Sequence, residues 1–293
     1  MSVRQSQIGV KLGLFSANTT ARTTGRQALV TATLAEQLGL ESLWVGEHIV
    51  IPGRYSDAAG RIPGAELIYW PDPLVWLAFT AAATRRIKLA TGVSVLPLRN
   101  PLVMAKQIAT LDALSGGRVI LGAGVGWLAE EFEAVGVPFG DRGRRHDDYL
   151  AAMRTLWSQD KATMHNTYAN FDEGISRPKP VNRAIPIVIG GSSARAARRA
   201  AHVGDGYLPE TADVDELRNL LAIVHDECAT GGRNPEEVEL TVYARDTDVD
   251  SLSARIEDLT AIGVSRVLLT NLPEEELRAL VTVLTNRFDT AQV

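Results

Sequence analysis

Short apolar segments alternate with amphipathic segments along the whole chain, and this alternation constrains the fold more than any other feature. Eight segments have the length and β-branched content of buried strands: Gly9–Phe15, Ser42–Gly46, Lys88–Val95, Val119–Ala123, Ile187–Ile189, Gly206–Leu208, Glu239–Ala244 and Arg266–Leu269. Each precedes a helical pattern, at Gly25–Leu38, Asp72–Ala83, Pro101–Leu114, Arg144–Trp157, Ala194–Ala201, Asp213–Thr230, Ser251–Ile262 and Glu274–Thr290. Eight successive strand–helix units predict an α/β fold, a (β/α)8 TIM barrel.

The alternative arrangement of such units is an open, doubly wound sheet. That fold places a glycine-rich turn after its first strand, and the segment Ser16–Thr19 contains no glycine. No low-complexity tract or Pro/Gly-rich linker divides the chain, so residues 1–293 are expected to form a single barrel domain. The long connections His48–Pro71 and Gln159–Pro186 exceed what a minimal barrel needs. Both are expected to be insertion loops over the C-terminal face.

Composition excludes several functional classes. The formal net charge of −5 and the lack of a basic run argue against nucleic-acid binding. The arginine clusters at 142–145 and 195–199 are typical of solvated helix faces, although an anion site is the alternative. The single cysteine, Cys228, excludes a disulfide framework and a thiolate metal cluster, and no metal site is expected. No segment resembles a signal peptide or a membrane span, which predicts a cytoplasmic protein.

The segment SLWVGEHIV, residues 42–50, places two ionisable side chains at the C-terminal tip of the second predicted strand. Parallel α/β folds keep their active sites at this end of the sheet. Because the pKa of an ordinary histidine lies near neutrality, His48 can give or take a proton at working pH, with Glu47 beside it. A purely structural histidine is the alternative. Three further strand ends favour a chemical role.

The predicted strands three to five also end in residues suited to a bound ligand. The third ends at Ser94 and Val95, and glycines alternate at the end of the fourth, at Gly122, Gly124 and Gly126. Glycines there allow a flat ring to approach the backbone closely. The fifth ends in Gly190, Gly191 and Ser192, just before a helix whose free N–H groups favour an anion such as phosphate. Ser192 or Ser193 can equally be only the helix N-cap.

These segments together resemble the luciferase-like monooxygenases, which bind flavin or deazaflavin in a (β/α)8 barrel. The matching stretches are LWVGEH, RIKLATGVSVLPLRNPLVMAKQIATLDALSGGRVILGAGVGW, EEFEAVGVPFGDRGRRHDDYLAAMRTLW and AIPIVIGGSSARAARRAAHVGDGYLP. They span most of residues 43–209 in the order and spacing of the family. Within it, the chain is most similar to the actinobacterial oxidoreductases that use coenzyme F420, a deazaflavin.

The resemblance implies a role for each matching residue. Glu47 and His48 match an acid–histidine pair beside the cofactor ring, in which the histidine exchanges a proton or stabilises charge. Ser94 and Val95 match a non-prolyl cis peptide that forms a bulge behind the ring. The remaining matches are backbone beside the cofactor, at Gly124 and Gly126, and a phosphate cradle, at Gly190, Gly191 and Ser192.

Two departures from the family limit what the resemblance implies. The sugar-phosphate dehydrogenases of the family carry a catalytic glutamate just after the fourth-strand glycines, where this chain has Trp127. Flavin-dependent members place an arginine near that turn, where this chain has Val125, Gly126 and Trp127, which favours the deazaflavin. Trp127 is interpreted as either a hydrophobic substrate wall or a packing residue.

The sequence therefore predicts an F420-dependent oxidoreductase that moves a hydride to or from a small organic substrate. The first alternative is a flavin mononucleotide (FMN) monooxygenase of the same family. An alternative from another class is a non-catalytic flavin- or deazaflavin-binding protein, against which the intact Glu47–His48 pair argues. The resemblance also implies a homodimer, and the identity of the substrate is left open.

Overall fold

The apolar segments pair in parallel and close into a barrel, as the alternation predicts. A computed structural model describes residues 9–19, 24–56 and 69–290. Its strands are β1 (Gly9–Phe15), β2 (Ser42–Val45), β3 (Lys88–Thr91), β4 (Ser94–Val95), β5 (Val119–Gly124), β6 (Ala162–His165), β7 (Asn170–Gly174), β8 (Ile187–Gly190), β9 (Gly206–Leu208), β10 (Glu239–Ala244), β11 (Val264–Thr270) and β12 (Asp289–Thr290). The barrel order is β1-β2-β3-β5-β8-β9-β10-β11, and β11 returns to pair with β1.

The helices lie outside this barrel and confirm the predicted alternation. They are α1 (Gly25–Gln37), α2 (Pro73–Ala81), α3 (Pro101–Ser115), α4 (Ala129–Val135), α5 (Arg142–Ser158), α6 (Ala194–Val203), α7 (Val214–Thr230), α8 (Val249–Ala261) and α9 (Glu274–Arg287). Acidic or amide N-caps begin several of them, including Asp72 of α2 and Asn100 of α3. Within the described ranges, no helix is long and apolar enough to cross a bilayer.

Strand periodicity divides the core into two layers. On β1, Val10, Leu12 and Leu14 face outward into the larger cluster packed against the helices. The alternate positions face the barrel interior, where Trp44, Ile120 and other large side chains form a separate cluster. The interior is therefore filled by side chains below the mouth, as is usual for an eight-stranded parallel barrel.

Several predicted boundaries are wrong at element ends. The third strand does not run unbroken from Lys88 to Val95, because the chain leaves the ladder between β3 and β4. The last helix ends at Arg287 rather than Thr290, since the following residues pair with the first strand as β12. Helix α8 begins at Val249 rather than Ser251, and Asp248 caps it, because the Asp248 carboxylate accepts the Ser251 N–H at 2.9 Å.

Helix α4 and the strands β6 and β7 were also missing from the prediction. Helix α4, directly after β5, precedes the predicted helix α5. The connection after α5 contains an antiparallel hairpin, β6 and β7. This connection leads from the end of a helix to the start of β8, so it begins and ends at the N-terminal side of the barrel. There Val181 N–H donates to Asp112 at 2.9 Å. Of the two expected insertion loops, this one therefore lies away from the C-terminal face.

A buried ion-pair cluster closes the floor of the barrel. Arg266, 2% exposed, donates to both carboxylate oxygens of Glu41, at 2.9 and 3.2 Å, and to the Thr241 hydroxyl at 3.1 Å. It also pairs with Glu239 at 2.7 Å. Burial disfavours the charge on Glu41, but the Arg266 guanidinium outweighs burial and lowers the pKa of Glu41 below its ordinary value. Removing Arg266 would leave the buried Glu41 carboxylate without its guanidinium partner.

We expect R266M to lower the free energy of unfolding by about 3–5 kcal/mol near pH 7, because it leaves the buried Glu41 charge without its partner. A carboxyl with a depressed folded-state pKa stabilises the fold above its unfolded pKa, and this is lost as the pH falls through the folded-state value. The difference between R266M and wild type should therefore narrow in acid. Urea unfolding at about pH 7 and about pH 4 measures both quantities.

The matched control is R278M, which removes the exposed Arg278–Glu274 pair on α9. An exposed pair of this spacing contributes about 0–1 kcal/mol, so R278M should unfold nearly as wild type does. If R266M lowers the free energy of unfolding equally at both pH values, the role assigned to the ionised Glu41 is contradicted.

Candidate active site at the barrel mouth

Glu47 turns away from His48 and into the protein. Its side chain is fully buried, accepts the Val95 N–H at 2.8 Å and forms an ion pair with Arg99. Burial raises the pKa of Glu47, and the Arg99 cation and the Val95 N–H oppose that rise. Arg99 also donates to Asp72 at 2.6 Å, which ties the start of α2 to this cluster. Glu47 thus holds the chain after β3 in place beneath the mouth.

His48, the predicted proton-exchanging residue, has a partner that the sequence reasoning missed. Its Nδ1 lies 2.9 Å from Oε2 of Glu131, in α4. The other oxygen of Glu131 accepts the N–H groups of Ile49 and Val50 at 2.6 and 3.3 Å. Glu131 is 2% exposed, so the three hydrogen bonds satisfy a buried charge. The signal for it was the pair Glu130–Glu131, typical of the first turn of a helix, in a segment to which the prediction assigned no helix or strand.

Two tryptophans flank His48. The Trp70 ring centroid lies 4.6 Å from the imidazole, and the Trp127 ring meets it edge-on at 6.0 Å. Trp70 follows residues 57–68, which lie outside the described part of the chain, as does Arg61 of the predicted His48–Pro71 loop. Trp127 was interpreted as a substrate wall or a packing residue. Its place beside His48 puts a large apolar surface at the site.

Asn18 fixes the two ends of the loop after β2. Its side-chain amide donates to the carbonyls of Gly46 and Pro71, at 3.0 and 3.3 Å, and its oxygen accepts the Gly46 N–H at 3.2 Å. Asn18 follows β1, so the first strand end supports the second. Sequence reasoning gave Asn18 no role, because its partners are backbone groups distant in the sequence.

The cis peptide bond predicted between Ser94 and Val95 lies instead between Gly92 and Val93. The predicted position was wrong by two residues. Ser94 and Val95 instead form β4 and pair in register with Ala123 and Gly124. Extended, ladder-paired backbone of that kind uses trans bonds, so the departure from the ladder falls before them.

Val93 occupies the space that the strand-end glycines leave open. A Cβ on Gly124 would lie 2.5 Å from Cγ2 of Val93, and one on Gly190 would lie 2.7 Å from its Cγ1. A Cβ on Gly122 would instead lie 1.9 Å from the Thr91 carbonyl oxygen, so this glycine accommodates the backbone of β3. The close approach that Gly124 and Gly190 allow is made to the Val93 side chain. Val93 forms a platform at the top of the barrel interior.

The residues of the predicted anion cradle lie in the turn between β8 and α6. Ser193 is the N-cap and accepts the Ala196 N–H at 3.2 Å, whereas the Ser192 hydroxyl accepts the Glu210 N–H at 2.8 Å. Gly191 has a φ of +115°, which suits glycine, and its carbonyl accepts the Tyr207 hydroxyl at 2.9 Å. The two serines therefore have separate roles, and only Ser193 caps the helix.

An arginine reaches the turn after β5, although none is near it in sequence. Arg142, at the start of α5, donates to the Gly126 carbonyl at 3.1 Å and stacks 3.8 Å above the Phe139 ring. Burial, and then the nearby Arg195 cation, lower the pKa of Arg142. Arg195 lies in the first turn of α6. The arginine expected to be missing at this turn is thus supplied by another element, which removes one reason for favouring the deazaflavin.

The sequence matches the model of the luciferase-like monooxygenases over residues 9–260. The chain belongs to this family. The resemblance drawn from its motifs is therefore confirmed. Family members act on small molecules as oxidoreductases or monooxygenases, and their cofactors differ among relatives.

Three relatives show the range of the family. An uncharacterized protein of Mycobacterium tuberculosis is 35% identical over 247 residues, covering 81% of this chain and 84% of that protein. The F420-dependent glucose-6-phosphate dehydrogenase of Kineococcus radiotolerans is 33% identical, covering 72% of this chain and 60% of the enzyme. The FMNH2-dependent dimethylsulfone monooxygenase of Pseudomonas putida is 31% identical, covering 60% of this chain and 50% of the enzyme.

Among solved structures, the monooxygenase RslO1 of Streptomyces bottropensis has the same fold. It superposes with a TM-score of 0.79 at 21% identity, and the match covers 95% of this chain and 98% of that one. The two chains therefore share the barrel fold.

We expect G124A to lower the free energy of unfolding by about 1–3 kcal/mol, because the new methyl group overpacks against Val93. The V93A substitution makes room for that methyl group. The loss of unfolding free energy in the double variant should therefore be smaller than the sum of the two single losses, by about 0.5–3 kcal/mol. Urea unfolding of the four proteins closes this cycle.

G140A is the matched control, since a Cβ there meets nothing within 4 Å. It should unfold within about 0.5 kcal/mol of wild type. Strictly additive losses in G124A and V93A would show that Val93 is not what these glycines accommodate.

Proposed function

We propose that this protein is an oxidoreductase that uses a deazaflavin, coenzyme F420, to move a hydride to or from a small organic substrate. The observation that carries the proposal is the His48 ring, held by Glu131 and flanked by two tryptophans at the end of β2. Support also comes from the Kineococcus radiotolerans relative, an F420-dependent enzyme that is 33% identical.

The residues at the mouth fit a flat ring. Val93 presents an apolar side chain between the ends of β3 and β5, and the Ser94–Val95 backbone continues that surface. The buried Ser94 hydroxyl has no hydrogen-bond partner among the described residues, so it can bond a polar edge of the ring. Gly124 and Gly126 would line the ring's inner side through their backbone.

The start of α6 fits the anionic tail of such a cofactor. Gly190, Gly191 and Ser192 lead into free N–H groups at the helix N-terminus, which favour a phosphate. Arg142 and Arg195 place two cations nearby. This pairing of helix N-terminus and arginines suits a phosphodiester or a phosphate equally.

The chemistry divides between cofactor and protein. A bound deazaflavin supplies the carbon that carries the hydride. His48 gives or takes the proton that accompanies hydride transfer, while Glu131 holds its ring. Trp70 and Trp127 give the substrate an apolar wall and exclude water beside the imidazole.

An FMN-dependent monooxygenase is the second candidate. Arg142 at the Gly126 carbonyl favours it, since flavin-dependent members of the family use an arginine near this turn. The Pseudomonas putida relative, which is FMNH2-dependent, favours it as well. The match to that relative covers less of this chain than the match to the F420-dependent relative does, so FMN is the second choice of cofactor.

We expect the purified protein to bind coenzyme F420 and H48A to bind it almost as tightly, while turnover in H48A falls by about 10²–10⁴. Turnover is measured by the absorbance of the cofactor, with the substrate that a screen of small alcohols, aldehydes and ketones identifies. Binding is measured by fluorescence quenching with F420 and, in parallel, with FMN.

Tight FMN binding without F420 binding would overturn the choice of cofactor. Equal turnover in H48A and wild type would make His48 structural, as in a non-catalytic binding protein. H165A, at an exposed histidine on the outer hairpin, is the matched control and should keep full turnover.

We also propose that the protein is a homodimer, as the family resemblance implies, and that α2 and α3 form its interface. Their outer faces expose apolar side chains, among them Val75, Phe79, Val103 and Leu114. No charged residue occurs between Pro73 and Ala83. A two-fold interface brings the same patch of each copy together, so the uncharged, apolar face of α2 meets its own copy without repulsion.

F79E should convert the dimer into a monomer, because a two-fold axis would bring the two new carboxylates into an apolar interface. Light scattering at micromolar concentration should give a mass near 31.6 kDa for F79E and twice that for wild type. V283E, at an exposed valine on α9, should remain dimeric. A wild type that is monomeric at this concentration would refute the proposed dimer.

A further inference from the structure

Glu131 carries more hydrogen bonds than a residue that merely packs beside a histidine. Its Oε2 is bonded to Nδ1 of His48, and its Oε1 accepts two successive backbone N–H groups, from Ile49 and Val50. The side chains of Glu131 and His48 are 2% and 9% exposed. Three donors therefore converge on one buried carboxylate, and water is largely excluded from the pair.

This arrangement determines which ring nitrogen of His48 carries the proton. A carboxylate only accepts hydrogen bonds, so the Nδ1 that faces it must be N–H. In the neutral imidazole the other nitrogen, Nε2, then holds a lone pair. Nε2 has no hydrogen-bond partner among the described residues. It is thus the one ring atom of His48 left to accept a proton.

We propose that Glu131 is a positioning residue, which fixes neutral His48 as the Nδ1–H tautomer and so makes Nε2 the atom that exchanges the proton of the reaction. This inference rests on the proposed function for its kinetic consequence, but the tautomer itself is a property of the protein alone. The same carboxylate holds the Ile49 and Val50 amides, so ring and backbone are oriented by one group.

Replacing Glu131 with glutamine should reverse the tautomer. Glutamine has one acceptor oxygen and one NH2 donor. The oxygen gains two hydrogen bonds if it faces Ile49 and Val50, and only one if it faces His48. The favoured orientation therefore directs the NH2 group at His48, whose Nδ1 must then accept, leaving Nε2 as N–H. In the Ser–His–Asp triad, an equivalent amide substitution presents the wrong tautomer and lowers kcat by about 10⁴.

The test is nitrogen NMR of histidine-labelled protein, without cofactor or substrate. The chain has five histidines, and H48Q identifies the His48 signals by their loss. We expect a protonated Nδ1 and an unprotonated Nε2 in the wild type at a pH where His48 is neutral, and the reverse in E131Q. E133Q, at an exposed glutamate of the same helix, should keep the wild-type pattern.

Kinetics supply the second readout. E131Q should lower kcat by about 10²–10⁴ and leave the affinity for cofactor and the KM nearly unchanged, since the group affected moves a proton. E133Q should show neither effect. A wild-type His48 protonated on Nε2, or an unchanged pattern in E131Q, would overturn the inference. If the tautomers behave as expected but no F420- or FMN-dependent turnover exists, only the proposed function fails.

Discussion

The top of this barrel depends on how its interior is filled. Eight parallel strands enclose a space that side chains must occupy, and below the mouth residues such as Trp44 and Ile120 do so. At the mouth, Gly124 and Gly190 contribute no side chain, and Val93, in the break between β3 and β4, fills their space. The proposed cofactor platform exists because the chain leaves the ladder between β3 and β4, which places the Val93 side chain against the ends of β5 and β8.

Two buried glutamates near the mouth have partners of different electrostatic character. Glu47 is matched by a permanent cation, Arg99, and therefore contributes a fixed ion pair that holds backbone. Glu131 is matched by His48, whose charge can change, and by two backbone amides. Only the second arrangement can follow a proton during a reaction. Glu47 and His48 are adjacent in sequence, but their side chains have different partners, Arg99 and Glu131.

The sequence motifs located the site but not its contacts. His48 could be placed at a strand end because a parallel barrel directs every strand end to one face. Its partner Glu131 is distant in sequence. Glu131 lies on α4, which has only 7 residues and is too short to show a helical period in the sequence. Arg142 likewise reaches Gly126 across sixteen residues, so the turn looked uncharged from local sequence alone.

The sequence by itself determined the barrel, because strand and helix periods alternate eight times, and it determined the family through motifs at successive strand ends. Only the tertiary structure decided where the third strand breaks, what fills the glycine faces and which acid holds His48. The physical reason is that periodicity and turn chemistry act between near neighbours, whereas buried charges and close packing are satisfied by whichever side chains the closed barrel brings together.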